Sequence, residues 1–504
     1  MRFRASILKS IIALIAALML PWRVAAQNPR YKLIDIPTLG GPAAYGNVDC
    51  SECAQFINSA GVVVGGADTA IPDPNAPNCR NQDCFLDHGF RWENGVLADL
   101  GTLPGGNFSH ATSINARGWA TGGSGTAKTD RLTGWPEEHA VLWKKNEIVD
   151  LGTLRDGLDS AGLTVNNAGE VVGIATVDTT LDPFQLGPWP YPTHAFIWRG
   201  GLMQDIGTLG GANSFPTSGC NNERSNLVVG WSFTNSTPNA TTGIPTQHAF
   251  VWDQGTLTDI PTLGGTSAWG QCANNRGQVI GYSNLIGDVG CPSDCAIHTF
   301  LWDRGTLQDL GTLGGTSSVP LWLNNNGEAV GAALTAGDEE VHATLWKNGR
   351  ITDLSRNGDC FSFADAINSK HQIIGNTFDC DTGYLTTVLW ENGSIIDLNA
   401  AIPTDATLFL VEPDNINDKG EIVGRGLPAG CDDLDMCGHV FLLIPCGSGD
   451  GQACNESTAT AVRPSGRMAK QHHVAKEFVN LWRARLGQPR RKGLLAMPWS
   501  DLAR

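Results

Sequence analysis

Short enzyme signatures are missing from this 504-residue chain: there is no GxSxG nucleophile elbow, no HExxH, no phosphate loop and no dinucleotide fingerprint. Absence of a motif is not absence of chemistry, and a pair of carboxylates drawn from distant segments, as glycoside hydrolysis uses, stays open. Basic charge is scarce as well. Thirty-four Lys and Arg stand against 50 Asp and Glu, a net charge of −16 that argues against a nucleic-acid partner. Beyond residue 26 no apolar run is long enough to span a bilayer as a helix.

The one apolar run, Ile11 to Leu20, follows Arg2, Arg4 and Lys9 and precedes the small residues Val24-Ala25-Ala26. That order is expected of a signal peptide, residues 1–26, cleaved after Ala26; an uncleaved anchor is the alternative. The mature chain is then exported, secreted or periplasmic, with no transmembrane segment. Fourteen cysteines, an even number, fit an oxidising compartment and up to seven disulfides. Cys50/Cys53, Cys79/Cys84, Cys291/Cys295, Cys360/Cys380, Cys431/Cys437 and Cys446/Cys454 lie close in sequence, while Cys220 and Cys272 hold matching repeat positions. Connectivity stays open. With no second CxxC and no βαβ context, Cys50-Ser-Glu-Cys53 is read as structural rather than as a redox motif or half a zinc site.

What the chain has in abundance is repetition. HGFRW at 88–92, HAVLW at 139–143, HAFIW at 194–198, HAFVW at 248–252, HTFLW at 298–302 and HATLW at 342–346 share one pattern, and TTVLW at 386–390 and HVFLL at 439–443 are degenerate copies. In the clear copies an aspartate follows at a constant offset: Asp99, Asp150, Asp205, Asp259, Asp309 and Asp353, with Asp35 and Asp397 in the same place elsewhere. A Gly-rich stretch such as LGTLPGG at 100–106 comes next. Eight times an Asn turn then leads into a valine-rich run ending in Gly, as in INSAGVVVG at 57–65 or INDKGEIVG at 416–424.

These apolar runs are four to six residues long, β-branched or aromatic, and bounded by Gly and Asn, which is a strand signature. Glu-Asn-Gly or Asp-Gln-Gly in one connection and Asn-x-x-Gly in the other supply the positive φ of tight hairpins. One repeat is thus four strands. The aspartates stand 44 to 64 residues apart, the period of a propeller blade with insertions. The expected fold is all-β: residues 27–446 form a β-propeller of eight four-stranded blades, with seven as the alternative. HVFLL either completes a blade with N-terminal strands or ends the last of eight tandem units.

The recurring HAF-x-W, DLGTLGG and IN-x-x-G-x-VVG elements resemble the HAF repeat family of probable extracellular proteins over residues 31 to 444. The resemblance implies an exported β-rich array and brings no catalytic residues with it. Two departures mark the seventh copy: His371 replaces the turn Gly, and residues 355–358 lose the Gly-Thr-Leu-Gly pattern.

Residues present in every copy serve the shared fold, so function is sought where copies differ. The loops from VVG to the next His strand vary most, and they share one rim with the Gly-rich connections. That rim receives Trp135, Trp189, Tyr191, Trp231, Trp269 and Trp322. Exposed, these aromatics would stack on sugars or grip a peptide; otherwise they pack their own loops. Asp432, Asp433 and Asp435 gather between Cys431 and Cys437 as a candidate Ca²⁺ loop, although no EF-hand spacing is present. No other cofactor is expected. Residues 447–504 differ in kind, with ten Lys and Arg against four Asp and Glu, and Val474, Phe478, Leu481 and Trp482 at helical spacing. This basic tail is either partly helical or disordered. The functional expectation is a monomeric exported binding or scaffold module for carbohydrate or protein; the alternative is a secreted carbohydrate-active hydrolase or lyase.

Overall fold

A computed structural model describes residues 30–447 apart from 46–54, 146, 185–186, 218–226, 240–242, 287–295 and 357. The signal-peptide and basic-tail expectations lie outside the described residues. Within them, β-branched and aromatic runs do form short strands, and two four-residue helices, Leu398–Ala401 and Leu434–Cys437, are the α-structure. Four sheets have four strands and two have eight. Each larger sheet is two four-stranded units joined by a single parallel bridge, Gln247 to Ser267 or Val341 to Phe361.

Unit 2 shows the pattern: Ser109–Ile114, Ala120–Thr129, Pro136–Lys144 and Glu147–Asp150 pair antiparallel in chain order. Unit 1 uses Gly40–Tyr45, Val63–Pro72, Phe85–Glu93 and Val96–Asp99, and units 3 to 7 follow with the same succession. Unit 8 is built from both ends of the described chain. Leu408–Ile416, Ile422–Pro428 and His439–Pro445 are completed by Tyr31–Ile36, which pairs with the last of them from Tyr31↔Pro445 to Ile36↔Val440. Of the two strand phases open in the sequence, the N-terminal strand thus completes the last sheet. Eight four-stranded units are present among the described residues.

The repeated residues explain how a unit holds together. The motif His and the motif Asp stand on the third and fourth strands, and the imidazole Nδ1–H donates to the carboxylate at 2.7–2.9 Å in His88–Asp99, His139–Asp150, His194–Asp205, His248–Asp259, His298–Asp309 and His342–Asp353. His439 closes the same clamp on Asp35 at 2.8 Å, across the two chain ends. Unit 7 has Thr386 instead, and its Asp397 caps the helix Leu398–Ala401. The motif Phe is fully buried: Phe90, Phe196, Phe250, Phe300 and Phe441. The motif Gly is forced by that ring. A Cβ on Gly173 or Gly281 would collide with a first-strand carbonyl and with Phe196 or Phe300.

Units are joined to their neighbours by a second set of repeated groups. The hydroxyl of Ser109 accepts from Gly89 N–H and donates to Gly101 O, and Ser160, Ser214 and Ser318 do the same for the units before them. At the opposite end, turn Asn residues among the described ones fold their own loops by accepting two backbone N–H groups, as Asn115 and Asn324 do, and donate from Nδ2 to the equivalent carbonyl of the next unit. Asn58 reaches Asn115, Asn115 reaches Asn166, Asn274 reaches Asn324, Asn324 reaches Asn368 and Asn368 reaches Asn417, at 2.8–3.2 Å. Asn417 in turn donates to Asn58 O at 3.1 Å. His371 takes the left-handed turn conformation that Gly holds elsewhere, with φ 65°, and its ring meets Glu328 at 2.6 Å. Apolar clusters likewise straddle units: Val423, Val440 and Leu442 of unit 8 pack with Ala44, Val63, Phe90 and Trp92 of unit 1.

Asn324 donates to Glu328 and Asn368 and accepts from Asn326 and Glu328, all in a buried turn. Asn324→Ala is expected to lower unfolding free energy by about 1–3 kcal/mol, measured by denaturant titration. The clamps give a pH dependence. Burial works against the charged form of Asp99, Asp150 and Asp205, but the bonds from the clamp His and a Gly N–H hold all three below the usual carboxylate range. His88 is raised, chiefly by its bond to Asp99. A lowered aspartate adds stability that is lost as pH falls through its folded pKa; a raised histidine adds stability that is lost as pH rises through its own. Clamp stabilisation should therefore be greatest between about pH 4 and 6.5 and decline on both sides. Thermal unfolding across pH checks this, and in His88→Gln the alkaline decline should be shallower.

Candidate functional site

Strand direction places all loops between second and third strands, together with the Gly-rich crossings, at one end of the units; the Asn turns lie at the other. The loop end contains most of the differences between copies. It also corrects the aromatic expectation. Tyr191, Trp231 and Trp269 are buried, and Trp322 is in the core. Trp231 stacks on Trp269 at 5.0 Å and on Phe215 at 4.6 Å, with Trp189 packed against the same cluster. These rings bury more apolar area against one another across units 4 and 5 than solvent exposure would allow. Trp135 is half-buried, in a loop turned by Asp130.

The acidic loop of unit 8 is corrected as well. Asp433 caps the helix Leu434–Cys437 by accepting from Asp435 and Met436 N–H, and Asp435 pairs with Arg425 at 2.8 Å. Asp432, Asp433 and Asp435 are thus not gathered around a common point, and among the described residues no group of three His, Cys, Asp or Glu is disposed to hold a metal. The Cys431–Cys437 disulfide closes the loop, and Cys79–Cys84 and Cys360–Cys380 are also formed. Cys272 and Cys446 are disulfide-bonded as well.

The chemistry at the loop end sits instead in units 8, 1, 2 and 3. In the slot just before the clamp His, units 3 to 8 have Thr193, Gln247, Ile297, Val341, Leu385 and Gly438, whereas units 1 and 2 have Asp87 and Glu138. Comparing that slot across copies would have singled out both acids; reading each copy for motifs does not. Glu138 is buried with Arg80 at 3.3 Å and His110 at 3.6 Å. Arg80 comes from the disulfide-closed loop of unit 1, and its guanidinium lies 3.8 Å over the Phe108 ring. Burial raises the Glu138 carboxyl although Arg80 opposes the rise. Glu138 N–H donates to Asp159 of unit 3 at 2.9 Å. Burial, assisted by the neighbouring Glu138, Asp130 and Glu137 charges and opposed by that N–H, pushes Asp159 up to about 7. Tyr191 Oη donates to Asp130 at 2.9 Å and so ties the unit 3 loop to unit 2.

On the other side of Arg80 the polar band continues through Asp83 and Tyr45 to unit 8, where Arg425 forks onto Glu412 at 2.6 and 2.9 Å. Arginine, histidine and raised carboxyls side by side could move a proton. Their burial, with Arg80, Glu138 and His110 side chains 5–9% exposed, makes them braces between units as they stand. Arg80→Ala would leave Glu138 buried and unpaired and is expected to cost about 3–5 kcal/mol by denaturant unfolding, with Arg80→Ala/Glu138→Gln recovering part of it.

No family model matches the sequence, and no curated protein matches it. Among solved structures, the chain is similar to Pyrococcus horikoshii acylaminoacyl peptidase at 11% identity, over 76% of this chain and 57% of that one, with a TM-score of 0.38. It is similar to the Dos1 propeller at 10% identity over 83% and 95%, TM-score 0.38, and to a PL25 ulvan lyase at 7% over 84% and 100%, TM-score 0.36. The chain spans little more than half the length of the peptidase. None of these values is high enough to carry an activity across.

Proposed function

We propose that this chain is an exported eight-bladed β-propeller of the HAF-repeat kind that serves as a binding module, with protein or peptide as its ligand. Ring closure is supported by the bonds between unit 8 and unit 1, which repeat those between other neighbours and bring the Asn chain back to Asn58. Phe56 N–H to Asn415 and Ala44 N–H to Gly438 O, both at 2.8 Å, join the same two units. Disulfides support an oxidising compartment.

The observation that carries the ligand class is the distribution of exposed apolar side chains. Six of the eight large ones among the described residues, Ile71, Leu132, Leu181, Ile286, Tyr384 and Met436, stand at the loop end, each in a different unit. Five aliphatic or Met tips and one Tyr around a rigid rim suit the side chains of a protein surface. A sugar platform would need open aromatic faces, and the tryptophans of units 4 and 5 are spent inside. The hydrolase or lyase reading rests on Asp159, Glu138 and His110, all three of which are buried.

Peptide and glycan arrays probed with the mature protein test the proposal. Saturable peptide binding is expected, weakened at least tenfold by Leu132→Asp, Leu181→Asp and Ile286→Asp together, with an unchanged melting temperature. Binding to glycans alone, or turnover of a polysaccharide that Glu138→Gln abolishes, would replace it with the carbohydrate-active alternative.

A further inference from the structure

Unit 1 contains buried acids with no basic side chain paired to them among the described residues. Asp68 and Asp87 face each other in register across the second and third strands, which puts both side chains on one face of the sheet. Asp68 is fully buried, and it accepts Ala43 N–H at 2.7 Å. Tyr45 Oη lies 3.2 Å from Asp68 and 2.9 Å from Asp83, which the Cys79–Cys84 loop supplies. Asp87 is 1% exposed, and neither of its carboxylate oxygens has a hydrogen-bond partner. Among the described residues none of the three aspartates is in an ion pair. Burial and the neighbouring Asp83 and Asp87 push Asp68 up to about 9, against the Ala43 N–H that lowers it.

Unit 2 provides an internal comparison. Its acid in the same slot, Glu138, is equally buried but has the Arg80 guanidinium and the His110 ring against it. Asp87 has neither, and like charges directly opposite on a sheet repel. A buried carboxylate with no donor is costly unless it takes up a proton or a cation. The side chains of Asp68, Asp83, Asp87 and Tyr45 offer oxygen, the donor preferred by hard divalent ions.

We propose that unit 1 binds a divalent cation, best matched by Ca²⁺, between Asp68 and Asp87, with Asp83 and the Tyr45 hydroxyl on its loop side. No three carboxylates already surround one point, so this is a bridge between two carboxylates that recruits the third, not a finished cage. The ion would stand for Asp87 where Arg80 stands for Glu138. It would also fix the loop carrying Arg80 and Asp83 at the binding rim, although the site does not depend on the ligand proposed above.

The test is calorimetric titration of CaCl₂ into chelator-treated mature protein at neutral pH, with thermal unfolding alongside. Expected are one saturable Ca²⁺ that Asp87→Asn weakens at least tenfold, a rise of several degrees in melting temperature that the variant lacks, and chelated Asp87→Asn at least as stable as the chelated parent. Asp433→Asn, in the acidic loop of unit 8, should bind as the parent does. Should Asp87→Asn fail to fold, Asp68→Asn takes its place. An unshifted, non-binding parent, or Ca²⁺ binding indifferent to both substitutions, would overturn the proposal and leave protons to neutralise the site.

Discussion

Everything in this molecule depends on each sheet having a neighbour. A four-stranded unit of four- to eleven-residue strands has two exposed faces and two edges, and cannot bury enough apolar surface alone. The hydroxyl bridge from Ser to the preceding unit and the Asn carboxamide reaching the following one are polar contacts in places where water is excluded, so both groups must find partners with the right spacing. They fix the angle at which one sheet meets the next, and the Phe and Trp side chains then fill the gap that angle leaves. The final strand pairing, Tyr31–Ile36 on His439–Pro445, covers an edge that would otherwise offer open N–H and C=O groups to another chain.

Because those contacts are made by backbone-proximal groups that recur in most copies, with Ala44 and Ala268 in place of the bridging Ser in units 1 and 5, the architecture was legible in the sequence. The turn Asn, the motif Gly, and the His and Asp at constant offset all carried one message, since each is demanded by local geometry that does not vary from unit to unit. Even the seventh copy obeys it: His371 accepts the left-handed turn that Gly would fill more easily and compensates with Glu328. The four-stranded unit and the N-terminal completion of the last sheet were both within reach of period and phase.

The site was less legible, for a physical reason. Trp231 and Trp269 were expected at a rim because loops begin near them, but one residue of register decides whether a side chain enters the gap between units or leaves it. Both turn inward, where stacking gives each a partner. Asp433 and Asp435 looked like ligands because they were adjacent, yet adjacent aspartates in a short loop are the residues that cap a helix start and reach a nearby arginine. Asp87, Glu138 and Asp159 do not stand out in the sequence because acids next to His88, Glu137 and Ser160 resemble solvated positions. Only alignment of one copy against another shows that two units place an acid where the rest place neutral side chains.

That slot reveals how a repetitive fold acquires a direction. Apolar clusters straddle the joints in both sectors, but at the loop end aromatic rings join units 4 and 5, whereas charges are added from unit 8 through unit 3. Apolar joints tolerate small shifts because dispersion contacts are many and weak. Charged joints do not, since moving one partner strips a buried ion of its only compensation. The polar sector is thus held in one arrangement so long as its charges balance, and the loops above it inherit that rigidity. Wherever balance depends on something brought from outside the chain, the position of those loops depends on it too.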